Sequence, residues 1–150
     1  YGADDPVAMA LQFRPHIVQL PVSILDQRLV RSGVLAALKS LDVEIHVRSV
    51  FLQGAIFLEP TRLPAVLRKV QQPLIKFREK LTCHQLTPLQ AAMVFPLSVP
   101  EIDRVIVGVT CPQELAQILS IVNAPLVELP WREFATEDEV LLDPRAWLPV

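Results

Sequence analysis

Three short runs rich in β-branched residues constrain this chain more than any other feature. They lie within residues 16–29, 44–54 and 104–110, and the first two end in polar or glycine residues before a helical pattern begins. A buried parallel strand followed by a covering helix reads this way, with chemistry placed at the carboxyl ends of the strands. Three such units are too few to close a barrel. The expected fold class is therefore α/β: part of a barrel, with about three parallel strands, flanking helices and an irregular tail.

At 150 residues the chain is long enough for one domain with its own core, and the expectation is a single unit over 1–150. Hydrophobic residues make up 51% of it. That is high for a small domain, and implies a sheet covered on both faces, apolar surface meant for something outside the chain, or both. The formal charge is −2, with 14 basic and 16 acidic residues, which excludes a broad electrostatic footprint for nucleic acid or an anionic membrane. Arg62, Arg68, Lys69, Lys76, Arg78 and Lys80 gather locally. They read as the solvated face of an amphipathic helix or as an anion-binding patch. Cys83 and Cys111 lack the spacing of a metal knuckle or a disulfide framework, which suits a reducing cytoplasm. Charge or proline breaks every apolar run before the ~18 residues a membrane span needs.

Along the chain, Asp5-Pro6 opens a first helix that Arg14-Pro15 ends. A strand follows over 16–20, closed by Pro21, then a helix over about 26–40 in which Gly33 is tolerated. A second strand is expected over 43–47, helical patterns over 61–70 and 72–81, and a helix from Thr87-Pro88 that Pro96 kinks or ends. The third strand is expected over 102–107 and its helix over 113–122. From about 123 the tail is broken by Pro125, Pro130, Pro144 and Pro149, with Trp131, Phe134 and Trp147 as anchors.

Four motifs in order resemble the aldo/keto reductases: Val-Gln-Leu-Pro-Val-Ser-Ile-Leu-Asp-Gln-Arg (18–28), Val-Arg-Ser-Val-Phe-Leu-Gln-Gly (47–54), Thr-Pro-Leu-Gln-Ala-Ala (87–92) and Ile-Val-Gly-Val-Thr (106–110). The resemblance covers about residues 1–122. It implies the carboxyl-terminal half of a (β/α)8 barrel that reduces carbonyls with NADP or NAD, Tyr1 lying where the fifth strand ends. It places Gln19 at the nicotinamide carboxamide, a role an amide suits because it both donates and accepts. Gln19 could equally serve a neighbouring loop. Ser49, Phe51, Gln53 and Gly54 fall on the segment that wraps pyrophosphate and ribose, although a tight turn would use Ser49 and Gly54 as well. Arg48 stands where many members carry a stacking aromatic; it can lie against a ring or form a salt bridge. Gly108, Thr110, Cys111, Glu114 and Gln117 match the adenosine end. There a carboxylate repels a 2'-phosphate but accepts from ribose hydroxyls, so NAD and NADP both stay open.

The family's aspartate, tyrosine, lysine and histidine come from strands this chain lacks. No catalytic residue is assigned, and none of His16, His46 and His84 matches the family's histidine. The expected partners are a nicotinamide nucleotide and either a missing amino-terminal half or a second copy joined through open sheet edges. The chain alone is expected to be inactive. Asp26 and Arg28 read as an ion pair ahead of a substrate contact. A non-catalytic half-barrel used for assembly, and an unrelated three-strand α/β domain, are the alternatives.

Overall fold

The computed structural model describes residues 5–125, 128 and 130–147. Tyr1, placed above at the end of a strand, lies outside the described residues, as does Pro149.

The first helix, α1 (Pro6–Phe13), starts as its residues dictate. The Asp5 side chain accepts from the Val7 amide and proline occupies the first turn, where no amide hydrogen is needed. Arg14 closes it in the left-handed conformation. β1 (Ile17–Pro21) follows and reaches one residue further than expected, taking in Pro21. That residue is tolerated because β1 lies at a sheet edge. The Glu44 amide donates to the His16 carbonyl and the Val22 amide to the Arg48 carbonyl, so the even-numbered residues face the neighbouring strand and Pro21 faces outward.

The long helix expected over 26–40 is two: α2 (Arg28–Arg31) and α3 (Val34–Ser40). Gly33 separates them with φ 78°, a left-handed conformation that ends one helix and begins the next. β2 (Glu44–Arg48) then pairs in parallel with β1, with Gln19 opposite His46 and Pro21 opposite Arg48. The expected helix over 61–70 appears as two 3₁₀ turns, Pro60–Arg62 and Ala65–Val70. Pro64 favours an extended conformation in the residue before it, which divides the pattern.

α4 (Gln71–Cys83) buries Leu74, Phe77 and Leu81, one stripe at helical spacing. α5 (Pro88–Leu97) has the reciprocal cap its sequence promises: the Thr87 hydroxyl accepts from the Gln90 amide, and the Gln90 side chain accepts from the Thr87 amide. It is buried continuously from Ala91 to Pro96, and ends one residue after that proline.

The third strand is much shorter than expected: β3 is only Arg104–Val105. The Asp103 amide donates to the Ile45 carbonyl and the Ile106 amide to the Val47 carbonyl. That three-residue step breaks the two-residue period of a ladder and ends the regular pairing. α6 (Pro112–Val122) follows. The tail holds a 3₁₀ turn over Trp131–Phe134, the single helical turn α7 (Glu139–Leu142) and a last turn over Pro144–Trp147.

The architecture is a mixed α/β fold with one parallel sheet in the order β1-β2-β3. Residues in register share a face, so Val18, Leu20, Ile45, Val47 and Val105 form one side, and Gln19, Glu44, His46, Arg48 and Arg104 the other. The apolar side meets the core, where Ile45 and Val47 are fully buried. A sheet covered on both faces is therefore not what forms: Gln19 and Ile17 are exposed. No described helix is long and apolar enough to cross a membrane.

Candidate functional site

Parallel strands bring their carboxyl ends to one rim, and the sequence places its polar bursts there. A groove of about 880 Å3 runs along the free edge of β1 toward that rim. Its apolar wall is α1, through Met9, Ala10 and Phe13. Its polar end holds Gln19, Arg48, Asp26 and Arg28, closed on the tail side by Glu139 and Asp143.

Gln19 and Arg48 reach this groove from adjacent strands, on the same side of the sheet. Arg48 also donates to the Ser49 hydroxyl at 3.0 Å. Between Ser49 and Gly54 the backbone is left-handed at four positions: Ser49 (φ 63°), Leu52 (48°), Gln53 (53°) and Gly54 (81°). Three of these carry side chains, so the segment is strained, and such strain concentrates at functional sites. The Leu52 amide donates to the Ser49 carbonyl and the Gly54 amide to the Phe51 carbonyl. Those two amides stabilise the loop itself. The Phe51 ring lies 5.3 Å from that of Phe57, tilted by 53°.

Ser49, Phe51, Gln53 and Gly54 do not line the groove, and the third group of candidate residues sits elsewhere again. Gly108, Thr110, Glu114 and Gln117 follow β3, and none of them lines the groove. The Glu114 carboxylate accepts from the Thr110 amide at 2.6 Å and from the Thr110 hydroxyl at 3.1 Å. These bonds, with a further one from the Cys111 amide, hold Glu114 below the usual carboxylate range. The expected weak anion site at the start of α6 is thus occupied by the chain's own carboxylate. A phosphate there would meet negative charge and amides already engaged.

The expected Asp26–Arg28 ion pair is present and bidentate, Nε to Oδ1 and Nη2 to Oδ2, both at 2.8 Å. Asp26 is 6% exposed. The guanidinium is held above its ordinary value, first by its hydrogen bond to Asp26 and then by the charges of Asp26, Glu139 and Glu137. This pair fixes the loop after β1 and also lines the groove, where the second reading of these residues, a substrate contact, stays open. Glu139 and Asp143 were missed by sequence reading. They arrive from more than a hundred residues away, and no local pattern announces such a contact.

Two further clusters lie on the sheet. Glu44 accepts from His46 at 2.9 Å and faces Arg104 at 3.5 Å, and both partners lower its pKa, His46 more strongly. At the same amino end of the strands, Asp103 accepts from the Ile45 amide at 2.7 Å and from Lys39 at 2.9 Å, which holds its carboxyl below the usual range. The six clustered cations make no ion pair with any described carboxylate. Arg62, Arg68, Lys69 and Lys76 are exposed, as a solvated face requires. No group of described His, Cys, Asp and Glu side chains is placed to hold a metal ion. Compared with known proteins, the chain matches no family model and no curated sequence.

Proposed function

We propose that this chain is the nicotinamide-dinucleotide-binding half of an aldo/keto reductase-like oxidoreductase, which passes hydride between the cofactor and a carbonyl or alcohol. One observation carries the reading. Gln19 and Arg48, on adjacent parallel strands, line a single groove at the carboxyl rim, and the strained left-handed segment begins at the next residue.

When bound, the nicotinamide would supply or accept hydride. The chain's own residues hold it. The Gln19 amide donates to and accepts from the carboxamide, as its chemistry allows. The Arg48 guanidinium presents a flat cationic face to a ring. Asp26 and Arg28 keep the loop beside them in place through their bidentate pair. The residues after β3 lie outside the groove, and the Glu114 carboxylate there repels a phosphate, so the unphosphorylated dinucleotide is the better fit.

The only tyrosine in the chain is Tyr1, and the resemblance puts the proton donor on strands outside this sequence. Binding without turnover is the expected behaviour. Titrating the chain with NADH and with NADPH, read by nucleotide fluorescence and by melting temperature, tests it. NADH should bind, Gln19→Leu should weaken that binding, and no carbonyl should be reduced. If neither nucleotide binds at millimolar concentration, the reading falls.

A second reading is favoured by a different observation. Nine of the twelve large apolar side chains exposed among the described residues gather at the two margins of the sheet: Met9, Leu11, Phe13 and Ile17 on one, Ile106, Val109, Leu115, Leu119 and Val122 on the other. A parallel sheet with two apolar margins suits an assembly module, which would form a stable oligomer without nucleotide affinity. Light scattering with and without NADH separates the two.

A further inference from the structure

The groove has a wall made by the tail, and something must hold that wall in place. Gln27 is 3% exposed, a buried polar residue in a loop where Val22 to Leu25 are also buried. Its side-chain amide donates to the Ile24 carbonyl at 2.8 Å and to the Trp131 carbonyl at 2.7 Å. It stands between Asp26 and Arg28, both of which line the groove. Consecutive residues of one loop therefore face two ways, Asp26 and Arg28 toward the groove and Gln27 toward the tail.

The tail is attached beyond that point too. The Thr136 amide donates to the Leu25 carbonyl at 3.0 Å, and Glu137 pairs with Arg31. Asp138 then caps α7 through the Leu141 amide. α7 begins at Glu139, which with Asp143 forms the tail side of the groove, while Leu141 and Leu142 anchor the turn in the core.

We infer that Gln27 is a positioning residue: it couples the loop carrying Asp26 and Arg28 to the tail carrying Glu139 and Asp143, so that both walls of the groove are set together. The inference rests on the groove being the dinucleotide site proposed above, and it adds a residue that touches no ligand. Removing the two donated bonds takes a partner from the carbonyl of buried Ile24 and unties the tail from this loop at Trp131. Ligand affinity should fall although every groove side chain is intact.

The test uses the full chain in a Trp147→Phe background, so that emission reports Trp131, with NADH as the probe. Gln27→Leu is expected to weaken NADH binding about tenfold, shift Trp131 emission and speed hydrogen exchange at the Thr136 amide. Where Gln27→Leu fails to fold, Gln27→Glu takes its place, since an ionised carboxylate keeps the size but cannot donate. Ile118→Val, a core change in α6 away from the groove, controls for stability and should leave NADH affinity unaltered. An affinity within twofold of the parent, or a fall matched by Ile118→Val at equal loss of melting temperature, overturns the inference. If NADH binds no variant and not the parent, the dinucleotide reading fails instead. Amide exchange then decides whether Gln27 holds the tail, and unchanged exchange at Thr136 sinks that as well.

Discussion

Asp103 shows how one side chain can act on a whole sheet. Its carboxylate accepts from the Ile45 amide and from Lys39, joining the edge strand β3 to β2 and to α3. Because these bonds favour the ionised form, its pKa in the folded chain lies below the unfolded value of about 3.9. Its stabilisation is then fully present above that value and is lost as pH falls through the lower, folded one. Asp103→Asn should lower the melting temperature at pH 7 by about 3 °C. The gap to the parent should close as pH falls below ~4. A thermal melt at each pH checks both, and a gap of constant size contradicts the argument. Arg28 invites the complementary change: Arg28→Met leaves Asp26 buried without its partner, and should destabilise by about 3 kcal/mol, measured by urea unfolding.

At the scale of elements, helices of similar length are held very differently. α5 is buried along most of its length and capped reciprocally, so Thr87→Ala should cost about 1 kcal/mol and change little else. α1 has a good cap, yet Ala10 is its only buried residue, while Met9, Leu11 and Phe13 are exposed. An eight-residue helix gains little from propensity and depends on packing. Amide exchange should therefore be fast across α1 and slow across α5, and equal protection would show that α1 is covered in solution. β3 retains two residues of regular ladder because its bonds to β2 step from the Asp103 amide to the Ile106 amide.

Across the whole molecule, the tail closes the core that the sheet begins. Phe134 is 2% exposed and meets Phe77 edge-on with ring centres 6.2 Å apart, while Trp131 packs between Phe95 and Phe134. Phe134→Ala should cost about 3–5 kcal/mol, enough to unfold a domain of ordinary stability. Circular dichroism with denaturant titration reads this directly. The apolar margins are the molecule's other large-scale property: Phe13→Glu or Leu119→Glu should reduce any self-association without lowering the melting temperature, because both side chains are already exposed.

The amino-acid sequence alone determined the parallel character of the strands, their order of appearance, the caps of α1 and α5, the Asp26–Arg28 pair and Phe134 as an anchor. Each depends on residues close in the chain, or on a hydrophobic pattern that admits one satisfactory burial. It misjudged what depends on neighbours. Gly33 divides a helix whose stripe is continuous, β3 loses its end where its ladder skips a residue, and Glu114 fills the anion site that composition left open. Only the tertiary structure decided that Glu139 and Asp143 meet Gln19 and Arg48 in one groove, or that Gln27 ties the two walls together. Those contacts join segments about a hundred residues apart, and their energy comes from desolvation and hydrogen bonds that exist once the chain has folded and nowhere in its local pattern.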